Sequence, residues 1–564
     1  MRTATSFLAG LGLALTLTIC AGQLRAEVKI YNPENYPDPV PLTGKAFDQL
    51  GQMIPRTMHL LETSEPGNRK KVKIAIYGQS LNDDNNTWWR DLRAALQCTY
   101  PYTDVEVICL GVGGFSTATL WRTTYADIAA YYPDLVILCV AGHHTYYESI
   151  IRFIRGCTTA EIIIQNDPIG GKTGDGEGCA WDADLNDMSD WGNKMSFLFL
   201  PEFCEKYGLQ LNNRKQEWYD YLKANCYIPT SGTLLQADGG HMSTQGQYLT
   251  AALVARHFRY DPAANPDPYK MVTVYKPGTD VAITGNTIKM SISGNRIDII
   301  TADTKGGKET LQLLIDGKKP SSFAGCYKNT RTIMYDSYWN GGAVQTLGTS
   351  PDLQEEEWKI DIDDNGIFTL TGSKTGFDGK GNVEEYFESN SGRIVIREKD
   401  WFKGGSELKD RSFTFYTKCY AKDDYILPAH QIRVEENIVT LAQGIPNGTH
   451  DITLTGAVDK IKEIRVYRPP YQLTLDADKS ALNFEKEGGV QQIAISTNTY
   501  RQVYNRTPWI NIDAVDNNTG EELLDNQTIT ITAEKNNTPN PRTATIMLTG
   551  IGVEPFVLTV SQSK

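Results

Sequence analysis

Two short motifs far apart in the chain carry the residue types of an acyl-transfer triad. Gly-Gln-Ser-Leu occupies residues 78–81 after an early apolar run, and Asp-Gly-Gly-His occupies residues 238–241 before a late helical pattern. A serine hydroxyl needs a base to become a good nucleophile, and imidazole is the usual one. His241 is the only one of the seven histidines with an aspartate three residues before it. The sequence therefore predicts Ser80 as nucleophile, His241 as base, and Asp238 as the carboxylate that fixes the imidazole tautomer.

Acyl transfer also needs donors for the oxyanion of its tetrahedral intermediate, and removing one donor typically costs about 3 to 4 kcal/mol. The backbone NH of Ser80 is one candidate. A second is an NH within Gly-Val-Gly-Gly at residues 111–114, and a third is a side chain within Gly-His-His at residues 142–144. His143 and His144 both qualify, because a neutral imidazole donates one hydrogen bond.

An alternation of short β-rich runs and helical stretches between residues 71 and 258 must position these motifs. This pattern is typical of a parallel sheet wrapped by helices, so we expect one α/β domain. Such sheets present ligand-contacting loops at the carboxyl ends of their strands, where Ser80 would lie. The predicted strands are 72–77, 105–110, 135–140 and 161–165, and the predicted helices are 88–97, 149–155 and 244–257, the last with a capping-box-like pair at Thr244 and Gln247.

Two proline-rich segments, residues 261–269 and 468–470, divide the rest of the chain. Between them, residues 270–468 alternate in the β manner with Gly- and Asn-rich turns, which predicts a β-sandwich. Residues 472–564 are again all β and have the size of an immunoglobulin-like domain. The predicted fold is therefore multidomain: an N-terminal extension at 27–70, an α/β domain at 71–262, and two β-sandwiches at 270–468 and 472–564.

The first 26 residues have the charged start and short apolar core of a secretory signal peptide. Leu-Thr-Ile before Cys20 also resembles a lipobox, so a lipid anchor at Cys20 stays open. We therefore expect a secreted protein, either periplasmic or at the cell surface. A net charge of -13 and a pI near 5.2 would repel nucleic acid and anionic membranes, so a neutral substrate fits better. No Cys-x-x-Cys spacing occurs, and we expect neither a metal nor a cofactor.

Two other groups of residues offer alternative chemistry. Ser116 lies in Gly-Phe-Ser-Thr-Ala at residues 114–118, which half-matches a nucleophile elbow but lacks its final glycine. The acidic loop at residues 173–191 contains Trp181 and Trp191 and would form a sugar-stacking wall, a cation site or a solvated loop. Its calcium-like spacing lacks the glycine and the glutamate that such a site needs.

The order of the motifs in residues 70–260 resembles the SGNH (GDSL-like) hydrolase superfamily. That resemblance implies a three-layer, flavodoxin-like α/β fold. It makes Ser80 the nucleophile and first oxyanion donor, Gly114 the second donor, and Asp238 with His241 the rest of the triad. Gln79 replaces the usual aspartate and is similar to the Gly-Gln-Ser variant of sugar acetylesterases, which implies an O-acetylated carbohydrate substrate.

The chain departs from that family at the turn after the third predicted strand. The family usually has Gly-x-Asn-Asp there, and this chain has Gly-His-His-Thr at residues 142–145. His144, or His143 if the alignment shifts by one residue, would replace the asparagine amide as oxyanion donor. The alternative is that the substitution has altered or abolished the chemistry.

The two β regions show resemblances of their own. Residues 472–564, including Ser-Ala-Leu-Asn-Phe at 480–484 and Leu-Thr-Val-Ser-Gln at 558–562, resemble the BACON domain. That resemblance implies an immunoglobulin-type module of secreted carbohydrate-active proteins of the Bacteroidetes. Tyr500 stands where such modules commonly have tryptophan. Segments 313–317 and 441–450 look like the jelly-roll accessory domains of some SGNH esterases.

These observations lead to one principal hypothesis and two alternatives. The principal one is a secreted serine esterase that removes O-acetyl or similar small acyl groups from oligo- or polysaccharide. The first alternative is a glycan-binding or scaffold protein on a catalytically altered SGNH fold, and the second is a lipase or thioesterase. The sequence leaves open the polysaccharide, the acyl position, the cysteine pairing and the oligomeric state.

Overall fold

A computed structural model describes residues 27–169, 184–225, 235, 241–302, 304–332, 342–402, 408, 411–429, 436–513 and 527–564. Five parallel strands form the sheet of the α/β domain, in the order β2-β1-β3-β4-β5. Gly78 pairs with Cys139 on one side of β1, and Ile76 pairs with Cys109 on the other. The strands are β1 (Lys71–Gly78), β2 (Asp104–Cys109), β3 (Leu135–Cys139), β4 (Glu161–Gln165) and β5 (Gln210–Asn212).

Helices cover both faces of this sheet. Those within the described ranges, in chain order, are α1 (Gly44–Asp48), α2 (Pro55–Glu62), α3 (Trp88–Thr99), α4 (Thr117–Thr124), α5 (His144–Cys157), α6 (Trp191–Lys194), α7 (Leu200–Tyr207), α8 (Arg214–Ala224) and α9 (Thr244–Ala255). Successive side chains of β1 point to opposite faces, so Ile74 and Ile76 lie in a core with α3 and α9. Ala75 and Tyr77 lie in a second core with α4 and α5. The predicted α/β domain is thus confirmed, with the sheet buried between two helical layers.

Several local predictions about this domain need correction. The N-cap of α9 is Ser243, whose hydroxyl accepts a hydrogen bond from the Gly246 NH at 3.1 Å, so the predicted capping pair at Thr244 and Gln247 is wrong. The Gln247 side chain instead accepts a hydrogen bond from the Thr87 hydroxyl at 2.8 Å. Helix α5 begins at His144, five residues before the predicted start.

The N-terminal extension packs on the α/β domain. Met58 and Leu61 of α2 are buried in the same core as α3 and α9. Arg56 forms a 3.0 Å ion pair with Asp134, and its backbone NH donates to the buried carboxylate of Glu161 at 2.9 Å. The domain boundary at residue 70 stays a prediction, but the packing extends across it.

Residues 270–468 form antiparallel sheets around two separate cores. A seven-stranded sheet surrounds Ile297, Leu313 and Leu454, and a five-stranded sheet contributes Trp358 and Phe415 to the other core. The strands are β6 (Val272–Tyr275), β7 (Ile283–Thr284), β8 (Thr287–Thr301), β9 (Thr310–Ile315), β10 (Tyr327–Asn329), β11 (Gly342–Ala343), β12 (Thr346–Leu347), β13 (Glu356–Ile362), β14 (Ile367–Gly372), β15 (Gly376–Asn382), β16 (Phe387–Glu388), β17 (Ile394–Ile396), β18 (Trp401–Phe402), β19 (Arg411–Cys419), β20 (Asp424–Ile426), β21 (Ile438–Gly456) and β22 (Ile461–Tyr467).

The C-terminal region consists of two four-stranded sheets. Ile493 and Ile529 from the first sheet share one core with Ile546 and Leu558 from the second. The predicted β character of both regions is confirmed, and their assignment as jelly-roll and BACON sandwiches stays a prediction. The strands are β23 (Leu475–Ala477), β24 (Ala481–Phe484), β25 (Gly489–Thr497), β26 (Arg501–Tyr504), β27 (Ile510–Asp513), β28 (Gln527–Ala533), β29 (Arg542–Gly550) and β30 (Phe556–Gln562).

Within the described ranges, the helices are too short or too polar to cross a membrane. Residues 1–26, with the predicted signal peptide and Cys20, lie outside those ranges. Cys157 and Cys204 are buried free thiols, whereas Cys179 and Cys226 also lie outside the described residues.

Candidate active site

Ser80 begins a single turn of 3₁₀ helix, Ser80–Asn82, directly after β1. The chain leaves the strand through Gly78, whose φ of +149° is rare for residues with a side chain. A Cβ atom at Gly78 would lie only 1.8 Å from the Cys139 carbonyl oxygen. The glycine of the Gly-Gln-Ser motif is therefore needed for the close approach of the serine turn to β3.

The turn after β2 and the last residue of β3 both contact this serine turn. The Val112 NH donates to the Gly78 carbonyl at 2.9 Å, and the Gln79 NH donates to the Cys139 carbonyl at 3.2 Å. A Cβ at Gly111 would lie 1.9 Å from the Asn82 carbonyl oxygen. Ser80 thus follows the strand that lies between β2 and β3. In a sheet of this order, ligands bind in the crevice between the loops at that point.

A polar loop fixes the backbone of the serine turn. The side-chain amide of Asn86 donates to the Ser80 carbonyl and, at 3.0 Å, to the Asp83 carboxylate. The same carboxylate accepts the Asn85 NH at 2.9 Å. Sequence reasoning did not identify these residues, although a cluster of Asp and Asn directly after a candidate nucleophile is a usable signal.

The turn that holds both candidate oxyanion histidines is tied to the start of α4. Gly142 has a φ of +140°, and a Cβ there would lie 2.2 Å from the Thr117 hydroxyl. That hydroxyl accepts the His143 NH at 2.8 Å, and the Thr117 NH donates to the Ala141 carbonyl at 2.9 Å. Gly114 is exposed just before α4. The structure therefore joins the histidine turn to the start of α4, three residues after Gly114.

The two imidazoles have different environments. His143 is exposed, and its Nδ1 accepts the Thr145 NH at 3.4 Å as the N-cap of α5, which leaves its Nε2–H as a donor. His144 is half-buried and stacks on Phe199 with 4.2 Å between ring centroids. Burial, and secondarily the neighbouring His143, lowers the pKa of His144. His144 is therefore neutral at neutral pH and retains one N–H to donate.

His241 is exposed and lies two residues before the Ser243 cap of α9. The Thr87–Gln247 hydrogen bond joins α9, which follows His241, to the loop after Ser80. Asp238 lies outside the described residues. The roles of Ser80, Asp238, His241, Gly114, His143 and His144 stay predictions.

Ser116 occupies the N-cap position of α4, where its carbonyl accepts the Leu120 NH at 2.9 Å. It follows the glycine turn rather than the end of a strand. Its backbone role at a helix start accounts for its position, and Ser80 is the better placed of the two serines.

A buried polar group that sequence reasoning missed lies beside the site. Arg214 is fully buried and donates to the Cys139 sulfur and the Asn166 carbonyl, at 3.0 and 3.1 Å. Burial raises the pKa of Asp167 despite the opposing charge of Arg214. Burial also raises the pKa of Cys139 to about 12, so this cysteine stays a thiol and is no rival nucleophile. Asn-Asp directly after a predicted strand was the available signal.

The described part of the acidic loop consists of local turns. Asp184 and Asp187 accept the backbone NH groups of Asn186 and Ser189, each at 2.9 Å, and Asp190 caps α6. Over the described ranges, no group of His, Cys, Asp and Glu could hold a metal ion. Trp181 lies outside those ranges, and Trp191 lies against the turn that contains Gly142.

The β region at residues 270–468, called the middle β region below, contacts the residues on either side of the glycine turn at 111–114. Arg331 donates to the Leu110 carbonyl at 2.6 Å and to both oxygens of the Asp127 carboxylate, at 2.7 and 2.6 Å. Phe402 packs edge-on against Phe115, with 4.6 Å between ring centroids. Sequence reasoning missed both contacts, because nothing in a local pattern marks an arginine that binds residues about 200 positions away.

Comparison with known proteins gave structural similarities only. No known protein family and no curated protein matches the chain. A two-domain esterase active on acetylated mannans aligns at 10% identity over 75% of this chain and 98% of that one, with a TM-score of 0.29. An acetylxylan esterase from Geobacillus stearothermophilus aligns at 16% identity over 34% of this chain and 95% of that one, with a TM-score of 0.28.

A third similarity is to a xyloglucanase from Bacteroides ovatus. It has 23% identity and a TM-score of 0.14, and it covers 16% of this chain and only 19% of the xyloglucanase. TM-scores this low do not establish a common fold. The function of this chain therefore has to be inferred from its own residues.

Proposed function

We propose that this protein is a serine esterase that removes O-acetyl or similar small acyl groups from carbohydrate through an acyl-serine intermediate. The observation that carries the proposal is the position of Ser80 at the carboxyl end of β1. There, the glycine turn after β2 and the last residue of β3 both bond to the serine turn. A nucleophile between two turns rich in backbone NH groups is the arrangement that acyl transfer requires.

The proposed reaction gives each of these groups one role. His241 takes the proton of the Ser80 hydroxyl, whose oxygen forms a bond to the ester carbonyl carbon. The oxyanion accepts hydrogen bonds from the NH groups of Ser80 and Gly114 and from His144 or His143. Collapse of the intermediate breaks the bond to the sugar oxygen, which receives the proton from His241. Water then attacks the acyl-serine, with His241 taking its proton and Asp238 orienting the imidazole. The bond to the Ser80 oxygen breaks, that oxygen regains the proton from His241, and the carboxylic acid leaves.

The surroundings of Ser80 favour a small acyl group. The residues that follow it in the serine loop are mostly polar, with Asp83 and Asn86 buried and Asp84 and Asn85 at or near the surface. A long alkyl chain packed against these polar side chains would remove them from water without giving them hydrogen bonds, which costs free energy. This argues against a lipase or thioesterase. Gln79 adds the resemblance to sugar acetylesterases.

One observation favours the alternative of an inactive glycan-binding protein. The His144 ring stacks on Phe199, and its buried Nδ1 has no hydrogen-bond partner among the described residues. If this stack directs the other ring nitrogen away from the acyl carbon, the oxyanion site loses its side-chain donor.

Ser80→Ala tests the proposal, with Ser116→Ala as the matched control. We expect wild type and Ser116→Ala to release acetate from acetylated plant or mucin glycans and to hydrolyse 4-nitrophenyl acetate. Ser80→Ala should lose at least about 10³-fold in kcat, because the nucleophile is gone. Retained hydrolysis in Ser80→Ala would exclude the assignment. A serine-reactive phosphonate that never labels Ser80 would favour the inactive protein.

The proposal includes export and a modular arrangement. The signal-like residues 1–26 would direct the chain out of the cytoplasm, with or without a lipid on Cys20, and the two β regions would act as accessory domains. Mass spectrometry of the mature N-terminus from the native host tests this part. Cleavage before a lipid-modified Cys20, or after residue 26, distinguishes a lipoprotein from a freely secreted enzyme.

A further inference from the structure

Trp191 is an exposed aromatic residue beside the candidate active site. Trp191 is 41% exposed, although leaving an indole ring in water costs more free energy than leaving most other side chains there. Its ring lies nearly parallel to that of exposed His143, at an interplanar angle of 17° and a centroid distance of 5.4 Å. The two rings therefore form an exposed aromatic stack next to the turn after β3; this stack is the surface considered below.

This surface is held in place rather than mobile. The indole Nε1–H donates to the Gly142 carbonyl at 3.0 Å, and Phe199 packs 5.8 Å from the indole at an angle of 48°. The His143 ring is fixed by its N-cap hydrogen bond to Thr145. A rigid aromatic surface binds with little loss of conformational entropy.

Charged groups lie close to this surface. The Lys194 ammonium lies over the indole ring, 6.0 Å from its centroid, and the Asp190 carboxylate caps the short helix that Trp191 begins. An exposed aromatic group with charged groups nearby is complementary to a pyranose ring, which has an apolar face of C–H groups and a rim of hydroxyls. A long alkyl chain would leave these charges without partners.

We infer that Trp191 and His143 form a subsite for a sugar ring next to the residue that carries the acyl group. The inference rests on the proposed esterase function and assigns a role that this function does not require. The hydrogen bond between Trp191 and Gly142 makes the subsite continuous with the oxyanion turn. A chain of sugars bound across it would extend from Ser80 past the turn after β3.

Two variants at Trp191 separate stacking from positioning. Trp191→Phe keeps an aromatic face but loses the hydrogen bond to Gly142, whereas Trp191→Ala loses both. For Trp191→Ala, we expect kcat/KM to fall about tenfold more on acetylated xylopentaose or mannopentaose than on 4-nitrophenyl acetate, mainly through KM. Trp191→Phe should retain most of the oligosaccharide activity. Phe377→Ala, at a 60% exposed aromatic residue of the middle β region, is the matched control and should match wild type.

Two kinetic results would overturn the inference. Equal losses on both substrates in Trp191→Ala and Trp191→Phe would show that the indole only positions the Gly142 turn. Wild-type oligosaccharide kinetics in Trp191→Ala would show that no sugar stacks there.

A binding measurement keeps the subsite separate from the esterase assignment. Calorimetric titration of unacetylated xylopentaose and mannopentaose needs no catalysis. A Kd weakened about tenfold in Trp191→Ala supports the subsite even if wild type hydrolyses no ester. Failure of wild type to bind either pentasaccharide would overturn the subsite, while hydrolysis of 4-nitrophenyl acetate would leave the esterase assignment standing.

Discussion

His144, or His143 if the alignment shifts by one residue, stands where the resemblance to SGNH hydrolases predicts an amide. A neutral imidazole has one N–H, whereas an amide has two, so the ring has to be held in one orientation to serve an oxyanion. The parallel stack on Phe199, with an interplanar angle of 7°, provides such a restraint. The lowered pKa of His144 also avoids placing a fixed positive charge at the amino end of α5.

Substitution of His144 tests this role. His144→Ala should lower kcat on 4-nitrophenyl acetate by about 10²-fold with little change in KM, because an oxyanion donor acts mainly in the transition state. His144→Asn should recover part of the loss, since an amide again offers a donor. His143→Ala, measured in the same way, identifies which of the two rings is the donor. A wild-type kcat in His144→Ala would remove His144 from the reaction.

At the scale of elements, burial explains which predictions held. Strands β1, β3 and β4 were predictable because both faces of the sheet are covered, which selects continuous apolar runs such as Leu135–Cys139. Strand β5, Gln210–Asn212, was missed because Gln210 and Asn212 are polar although buried. Its identity depends on pairing with β4, about 47 residues earlier, which no local pattern encodes.

In the candidate site, too, features set by local sequence were predictable and contacts between distant residues were not. Ser80 was predictable because its motif directly follows an apolar strand, and the glycine turns 111–114 and 142–144 follow the next two. The contacts of Arg331, Arg214 and Trp191 with this edge join distant parts of the chain. They depend on how the elements pack, so residue type and spacing did not reveal them.

The end of helix α9 buries a histidine. His257 is 3% exposed, and neither ring nitrogen has a hydrogen-bond partner among the residues that the structure describes. Burial, and secondarily the charge of Arg256, lowers the pKa of His257 from 6.5 to about 3. In the window between those values the unfolded chain binds a proton that the folded chain does not. Stability is therefore lost as the pH falls from about 6.5 towards 3.

Replacing His257 with a side chain that cannot bind a proton should make the unfolding free energy depend less on pH below about 6.5. Between pH 7.5 and 4.5, the unfolding free energy of His257→Phe should fall by about 2.7 kcal/mol less than that of wild type. Urea denaturation at the two pH values measures this difference. His59→Gln, at a half-buried histidine of α2, is the control and should follow wild type. An unchanged pH dependence in His257→Phe would mean that the folded protein protonates His257 normally.

At the scale of the whole molecule, ion pairs and hydrogen bonds join the middle β region to the α/β domain. Arg331 and Asp127 form a mostly buried ion pair, and Asp127 also accepts the Tyr77 hydroxyl at 3.2 Å. Arg122 of α4 pairs with buried Asp400 at 2.7 Å. These contacts join the middle β region to β1 and to both sides of the glycine turn at 111–114.

Breaking the Arg331 pair should affect stability and catalysis together. Arg331→Met leaves the Asp127 carboxylate buried without its partner, which typically costs about 3 kcal/mol. It also frees the Leu110 carbonyl, so kcat should fall as the turn that contains Gly114 loosens. Urea denaturation and ester kinetics measure the two effects.

Two further variants control this experiment. Asp127→Asn combined with Arg331→Met should recover part of the lost stability, because no unpaired charge remains buried. Lys359→Met, which breaks an exposed pair with Asp361, should change the unfolding free energy by less than about 0.5 kcal/mol. Equal effects of Arg331→Met and Lys359→Met would show that the Arg331 pair contributes nothing.

Tyr500, in the C-terminal β region, is only 4% exposed. Its ring lies 5.2 Å from that of Trp121 in a core of the α/β domain, and Arg397 covers it at 4.8 Å. The C-terminal β region is therefore attached to the α/β domain through this aromatic contact. Truncation or gene fusion should keep the two regions together, since cutting the chain near residue 470 would uncover the side of the Trp121 ring that Tyr500 covers.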